Sequence, residues 1–434
     1  MIAEHRLPPA LFDAMAEGGG GAEAMRELAA MQRSKHLLML RGVLTEARSS
    51  HRDQSGVVDC GYDLLASAQD HDPAAADVVI RHPSVGAWAR HALRAFRGQA
   101  RLGGAEPSLM CVIAAAAAVR AGLSAQIEVP VRHGAVMLPS LGAAQADGDR
   151  AVVRSTAAGA TVDSEARRVE IPADPHRDAP GWAGLRRIRI GSFEALIDDL
   201  DPFRMPRAPD LAARLGDAEA STWAAAFRQA WPLLERHHPG AAAEVAATVK
   251  VIVPRQAPPR GLVSSSSPEA FGAVAMSPPR DGRILAETLV HEVQHVKLSA
   301  LVDVVPLTQP DDGSRFYAPW RDDPRPAGGL LQGAYAYLGV SGFWRRQRLQ
   351  EDGPARIRAD ADYERWRSAT ALATATLRSS GSLNADGRAF VRGMTRTLET
   401  WLEEPVPEQA RVLARREAEQ HRRNWEAAHG PIPS

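Results

Sequence analysis

The sequence has very few cysteines and no excess of either charge. Its two cysteines, Cys60 and Cys111, are too few for a disulfide scaffold and are typical of a reducing compartment, so we expect a cytoplasmic protein. Lys and Arg together number 52, as do Asp and Glu. This balance gives no net attraction to nucleic acid or to an anionic membrane, and we expect neither as a partner.

Long hydrophobic runs are also absent. The longest run, around residues 110–119, is mostly alanine and is about half the length that a membrane span needs. The N-terminus lacks an apolar core followed by a cleavage site, so we expect no export signal. With 45% hydrophobic residues among 434, the chain nevertheless has enough apolar surface for two or three domains with buried cores.

Changes in residue pattern predict four regions of a helix-rich α+β protein. Residues 1–122 show the three- and four-residue apolar spacing of helices, whereas residues 123–204 contain short β-branched runs typical of a small sheet. Residues 205–345 form the central region, with strands predicted at 248–253 and 272–276 and a loop at 264–267. Residues 346–434 complete a C-terminal series of helices, predicted at 330–351, 355–378, 385–403 and 407–426.

The most distinctive chemical motif is HExxH, His291-Glu292-Val293-Gln294-His295. Residues four apart lie on one face of a helix, so His291 and His295 can bind the same metal ion with Glu292 beside them. Apolar residues surround the motif, and no proline occurs between residues 283 and 306, which favours a buried helix. The two histidines could instead be satisfied core side chains, but a metal better explains their burial together with a glutamate.

A zinc hydrolase is one chemistry that the motif permits. Two histidines and a third ligand would hold Zn²⁺, and Glu292 would act as the general base on the bound water. However, Leu298 stands where peptidases with a third histidine have glycine, and no histidine follows until His421. An Asn-Glu signature for a downstream glutamate ligand is also missing, so both common protease interpretations are weakened.

A non-haem iron site is the alternative chemistry. Two histidines and one further ligand would leave coordination positions for an oxidant and a co-substrate. A keto-acid co-substrate also needs a cation for its distal carboxylate, a role that suits the guanidinium group of arginine. Arg321 and Arg325, in the loop after the motif, are the candidates, although either could equally pair with nearby aspartates.

Two further patterns bear on function. The predicted strand just before the motif helix is typical of zincin-like folds, whose edge strand can pair with an extended peptide, so we expect a peptide substrate. Asp198, Asp199 and Asp201 form an acidic cluster that could bind a second metal. Such clusters more often cap helices and bind arginines, and we favour that interpretation.

The chain also contains five segments that, with the motif, carry a family resemblance over about residues 37–345: Arg81-His82-Pro83-Ser84-Val85-Gly86-Ala87-Trp88-Ala89, Leu138-Pro139-Ser140-Leu141-Gly142, Asp198-Asp199-Leu200-Asp201-Pro202-Phe203-Arg204, Pro319-Trp320-Arg321 with Asp323-Pro324-Arg325-Pro326, and Gly333-Ala334-Tyr335-Ala336. The chain resembles the HExxH-motif family of peptide-modification proteins. These are found with ribosomally synthesised, post-translationally modified peptides, and are often encoded beside, or fused to, radical S-adenosylmethionine enzymes.

The resemblance implies Fe(II)- and 2-oxoglutarate-dependent hydroxylation at a β-carbon of a residue in a precursor peptide. It makes His291 and His295 the iron ligands and places Glu292 near the open coordination face. A radical S-adenosylmethionine enzyme becomes a candidate partner. Two cysteines cannot supply the three that the cluster of such an enzyme needs, so that chemistry would belong to the partner.

One residue departs from the family pattern. Similar proteins have histidine before the glycine of the helix after the arginine loop, whereas this chain has Gln332 before Gly333. We predict Gln332 as the third metal ligand, through its amide oxygen, which would make a poorer iron site. Two other outcomes stay open: an acid such as Asp303 or Glu287 completes the site, or the protein binds peptide without oxidising it.

Overall fold

The computed structural model describes residues 5–50, 52–99, 106–206, 208–259 and 261–432. Within these ranges the chain has an α+β fold dominated by helices, which confirms the predicted class. The α-helices are α1 (Pro9–Ala16), α2 (Gly21–Ser50), α3 (Arg52–His71), α4 (Pro73–Ile80), α5 (Pro83–Phe96), α6 (Leu109–Ala121), α7 (Asp217–His237), α8 (Pro239–Thr248), α9 (Gly282–Val302), α10 (Ala327–Gln347), α11 (Gly353–Ser379), α12 (Ala385–Leu402) and α13 (Glu408–His429). The strands are β1 (Ala125–Pro130), β2 (Ala135–Leu138), β3 (Gly142–Gln145), β4 (Arg150–Thr156), β5 (Gly159–Asp163), β6 (Arg168–Ile171), β7 (Trp182–Gly184), β8 (Arg186–Ile190), β9 (Phe193–Ile197), β10 (Val251–Pro254), β11 (Ser264–Ser266) and β12 (Ala273–Met276).

The chain forms two compact units, each assembled from separate segments. The first unit contains residues 30–224 and 249–278, and the second contains residues 5–29, 225–248 and 279–434. The four consecutive regions predicted from the sequence therefore differ from the compact units. Residue pattern reports local structure, whereas a compact unit is built by contacts between segments that are distant in sequence.

Helix α6 lies at the centre of the first unit. Its sequence is apolar on every side, and Ala114 to Ala118 are each at most 1% exposed, as expected of a helix surrounded by protein. The helix ends at Gly122, whose φ of 61° is the left-handed conformation that glycine adopts readily. The alanine-rich run is therefore a buried core helix.

Nine strands occupy the region predicted to be β-rich. Two antiparallel sheets, β1-β4-β5-β6 and β2-β3-β7, pack their apolar faces into the core of the first unit. Alternating residues of β4 are buried and exposed, which is the period-two pattern of a strand with one covered face. The predicted β-rich region is thus confirmed as strand structure.

A third sheet has the order β11-β12-β10-β9-β8, in which β10 is parallel to both β9 and β12. Every residue of β10 and β12 is buried, as expected of strands covered on both faces. The strand before the motif helix, β12, was predicted to be an edge strand. This prediction was wrong, because β11 pairs with the side of β12 that faces away from β10. The predicted loop at 264–267 is instead largely β11, since three serines give no apolar alternation to recognise.

The second unit is helical and contains the motif helix α9. Helix α9 packs against α8 and α10, and α10 packs against α11, which also contacts α12 and α13. The four predicted C-terminal helices are confirmed as α10 to α13 with small changes at their ends. Strand β12 and helix α9 belong to different units, and a zincin-like pairing of the two is not confirmed. Among the described helices, none combines the length and apolar character that a membrane crossing requires.

Candidate metal centre

Helix α9 carries the motif histidines, and its start is fixed by side-chain contacts. Asp281 caps the helix by accepting a hydrogen bond from the backbone N–H of Ile284 at 2.8 Å. At Gly282 a Cβ atom would lie 2.3 Å from the Cβ of Gln229, so only glycine permits this close packing. The helix then continues without interruption through His291 and His295, as the sequence predicted.

The two histidine side chains converge on one point. Nε2 of His291 lies 3.1 Å from Nε2 of His295, and the ring planes meet at 72°. Two metal–nitrogen bonds of about 2.1 Å place the nitrogens about 3.0 Å apart at a right angle and about 3.4 Å apart at a tetrahedral angle. The observed separation is short enough for both nitrogens to bind one metal ion, and it also allows one ring N–H to donate to the other ring.

Gln332 fixes the orientation of His295. Its Oε1 lies 3.2 Å from Nδ1 of His295, and its amide nitrogen donates to Oγ of Ser299 at 3.2 Å. Because the amide oxygen can only accept, Nδ1 of His295 carries the proton and Nε2 keeps a lone pair directed toward His291. This is the hydrogen-bonding arrangement that commonly orients a metal-binding histidine.

The structure brings Gln332 to the histidine pair, but to the Nδ1 side of His295. An oxygen that accepts from Nδ1–H lies away from the lone pair of Nε2, so in this arrangement Gln332 contacts the ligand rather than the metal position. Ser299 was not anticipated from the sequence. Its position four residues after His295, on the same helix face, was the available signal.

A group of aromatic side chains adjoins His291. The ring of Tyr337 meets that of His291 edge-on at 5.3 Å and stacks on Trp320 at 4.7 Å. Trp320 also packs on Gly333, where a Cβ atom would lie only 2.4 Å from its indole nitrogen. Burial, followed by the charge on His295, lowers the pKa of His291 well below its usual value, which keeps the imidazole neutral and able to bind metal.

Glu292 is 1% exposed, and its Oε2 has no hydrogen-bond partner among the residues that the structure describes. A buried carboxylate oxygen without a partner is costly unless a bound water, ion or substrate satisfies it. Glu292 directly follows His291 on α9, so this orphaned oxygen calls for a bound water, ion or substrate at the motif.

A third protein ligand of the usual kind is not present in the described ranges. Neither Glu287, Asp303 nor any other described His, Cys, Asp or Glu places a ligand atom within 4.8 Å of both imidazoles. Glu287 instead accepts a hydrogen bond from the indole of Trp344 at 2.9 Å. The two histidines are therefore the protein ligands that the arrangement provides.

The predicted co-substrate arginines lie in the loop that carries Trp320. Nε of Arg321 donates to Asp323 at 2.7 Å, and Nη1 of Arg325 donates to the other oxygen of Asp323 at 3.0 Å. Both guanidinium groups thus already bind one carboxylate, and the neighbouring Trp320 reaches the metal pair through Tyr337. Either guanidinium group can bind the carboxylate of a co-substrate if that carboxylate displaces Asp323.

Glu287 gives the second unit a specific pH dependence. Burial is the main cause that raises its pKa from 4.5 to about 7. Because the pKa of Glu287 is higher in the folded state than in the unfolded state, a proton bound to Glu287 stabilises the fold. This stabilisation is complete below pH 4.5 and is lost as the pH rises through 7. We expect Glu287→Gln to be more stable than wild type at pH 8, by up to about 3 kcal/mol, and similar to it at pH 5.

Urea denaturation of both proteins between pH 5 and 8 measures this difference. The exposed Glu403→Gln is the matched control and is expected to follow the wild-type profile. Parallel profiles for wild type and Glu287→Gln would contradict the assignment.

Comparison with known proteins adds no family to this site. The chain matches no model of a known protein family, and no curated protein matches it either.

Proposed function

We propose that this protein is an Fe(II)- and 2-oxoglutarate-dependent hydroxylase that modifies a residue, at its β-carbon, in a ribosomally made precursor peptide. The observation that carries the proposal is the 3.1 Å separation of the two Nε2 atoms, which lets both imidazoles bind one metal ion. The resemblance to peptide-modification proteins supplies the substrate class.

The roles of the residues follow from their contacts. His291 and His295 would hold the iron, and Gln332 with Ser299 would keep His295 in the required tautomer. For Gln332 to be a ligand itself, its amide would have to leave His295. With two protein ligands, an iron ion held by these histidines would keep coordination positions open for a co-substrate.

Bound iron would supply the oxidation in which O₂ and 2-oxoglutarate convert a peptide C–H group to C–OH, with succinate and CO₂ as the other products. The chain provides the surroundings for this reaction. Arg321 or Arg325 exchanges Asp323 for the distal carboxylate of 2-oxoglutarate, one carboxylate replacing another. The ring of Tyr337, stacked on Trp320, covers part of the His291 side of the centre.

A zinc hydrolase is the second candidate, and Glu292 favours it. Its buried carboxylate oxygen without a partner is positioned in sequence where such enzymes have the general base. The third candidate is a peptide-binding partner of a radical S-adenosylmethionine enzyme. The lack of a third acidic or histidine ligand in the described residues favours that interpretation.

Anaerobic loading with Fe²⁺ and 2-oxoglutarate, followed by oxygen and peptides encoded beside the gene, tests the proposal. We expect succinate and a peptide that has gained one oxygen atom, and neither with His295→Gln. Peptide cleavage by zinc-loaded protein that requires Glu292 would instead identify a hydrolase. Unaltered peptide that still binds His291→Ala protein would identify the binding partner.

A sharper test concerns Gln332 alone. We expect Gln332→Ala to weaken iron binding by about 10- to 100-fold, because His295 loses the group that fixes its tautomer. Anaerobic competition with a chelator measures the affinity, and exposed Gln350→Ala is the matched control. An unchanged affinity for Gln332→Ala would show that the hydrogen bond does not position the ligand.

A further inference from the structure

A second cluster of metal-binding side chains lies in the first compact unit, away from the motif in sequence. His82, Asp198 and Asp201 are at most 4% exposed, and each places one ligand atom within 4.8 Å of the others. His82 immediately precedes α5, and the two aspartates follow β9, 116 and 119 positions later in the sequence. The fold brings them together without any local pattern that would predict it.

Backbone N–H groups hydrogen-bond to Oδ1 of both Asp198 and Asp201. Oδ1 of Asp198 accepts hydrogen bonds from the N–H groups of Leu200 and Asp201, at 3.1 and 2.9 Å. Oδ1 of Asp201 accepts from the N–H of Phe203 at 2.8 Å. Oδ2 of Asp198, in a side chain with no exposed surface, has no hydrogen-bond partner in the described part of the chain.

His82 is held with a free lone pair. Its Nδ1 lies 2.8 Å from Oγ of Ser84, whose hydroxyl hydrogen-bonds to the Asp201 carboxylate. Because Ser84 donates to Asp201, it accepts from His82, and the proton is on Nδ1. Nε2 of His82 then carries a buried lone pair, and it too lacks a partner among the described residues. A histidine whose other nitrogen is fixed in this way is prepared to bind a metal.

The charge of the cluster also calls for a cation. Two carboxyl groups are buried together beside an imidazole, and a bound divalent cation would balance the charge of both carboxylates. The nearby Arg204 directs its hydrogen bonds to the carbonyls of Asp201 and Ala212, at 2.7 and 3.0 Å. Asp199 differs, because it forms ion pairs with Arg186 and Arg214, as expected of a structural aspartate.

We propose that His82, Asp198 and Asp201 bind a divalent first-row metal ion. Two carboxylates and one neutral imidazole balance a charge of +2, and both Mn²⁺ and Zn²⁺ accept this mixture of oxygen and nitrogen donors. The site differs from the motif pair on α9 in its location and in its ligand chemistry. It does not depend on the function proposed for that pair.

A cavity adjoins the cluster at Asp201. A cavity of about 380 Å³ in the first unit is lined by Ser84 and Asp201 and otherwise mainly by apolar groups, including Trp88, Ile113, Met137 and Phe203. Asp201 therefore belongs both to the cluster and to the cavity wall. Water in this cavity could reach a metal ion on its Asp201 side and complete the coordination.

Metal binding to His291→Ala/His295→Ala protein tests this inference, because that variant retains only the new site. We expect one Mn²⁺ per chain by electron paramagnetic resonance, one Zn²⁺ by elemental analysis, and a rise in Tm when Mn²⁺ is added. Adding Asp198→Asn, which keeps the side-chain shape, should lower the affinity more than about 100-fold and abolish the Tm shift. His82→Gln is a second variant with the same expectation, for use if Asp198→Asn does not fold.

Asp199→Asn is the matched control, since it removes a neighbouring carboxylate that forms ion pairs with arginine. We expect it to retain full metal stoichiometry. The proposal is overturned if His291→Ala/His295→Ala protein binds neither ion at millimolar concentration. It is equally overturned if Asp199→Asn loses binding as completely as Asp198→Asn, or if Asp198→Asn and His82→Gln both bind as tightly as their parent.

Discussion

Replacing His295 with alanine is expected to weaken Fe²⁺ binding at the α9 centre by more than about 100-fold. The loss of a metal ligand should weaken binding more than the loss of Gln332, which only orients that ligand. His295 is one of only two protein ligands that the described residues provide, and its Nε2 faces that of His291 at 3.1 Å. Anaerobic titration with Fe²⁺ in the Asp198→Asn background measures binding at the α9 centre alone, because this substitution removes a ligand of the second site. Succinate formation from 2-oxoglutarate should be lost together with the iron.

The control for this experiment is a surface histidine. His71→Gln removes an exposed imidazole at the end of α3 and should leave both the affinity and the succinate yield unchanged. Iron binding that survives His295→Ala, or that falls equally in His71→Gln, would contradict a centre built on α9.

Lys297→Met is expected to destabilise the second unit by about 3–5 kcal/mol, because it leaves a buried carboxylate without its cation. Lys297 is completely buried on α9, two residues after His295, and its Nζ donates to Glu244 at 2.8 Å. The ammonium group also donates to the carbonyls of Gly18 and Gly19, at 3.2 and 2.8 Å. One side chain thus connects the motif helix, α8 and the N-terminal segment.

Urea denaturation measures the loss, and a paired replacement distinguishes its cause. Lys297→Met/Glu244→Gln no longer buries an isolated charge, and Gln can still accept the hydrogen bond that the N–H of Gly21 makes to Glu244. We expect the pair to recover at least half of the stability lost by Lys297→Met. Equal losses in the single and double variants would show that packing, rather than charge, dominates.

Helices with strong periodic patterns were predictable from the sequence. The motif helix and α10 to α13 lie where the sequence indicated, because each is a long segment with no proline beyond its first turn. Strand β11 was not predictable, since Ser264 to Ser266 have no apolar alternation and form a strand only by pairing with β12. The two compact units were also beyond a local pattern, because they join distant segments.

The same distinction applies to the candidate centres. The spacing of His291 and His295 determines their proximity, since one helical turn separates them. The position of Gln332 on the Nδ1 side of His295 depends on how α10 packs against α9, which spacing does not report. The sequence showed the aspartates after β9, but only the tertiary fold brings His82 to them.

X-ray absorption spectroscopy of Asp198→Asn protein loaded anaerobically with Fe²⁺ tests the central claim, that His291 and His295 bind one metal ion. The account predicts a six-coordinate iron with two imidazole nitrogens at about 2.1 Å and oxygen donors in the remaining positions. His295→Gln should reduce the imidazole count to one or lose the iron. A spectrum without imidazole scattering, or an iron site unchanged by His295→Gln, would contradict it.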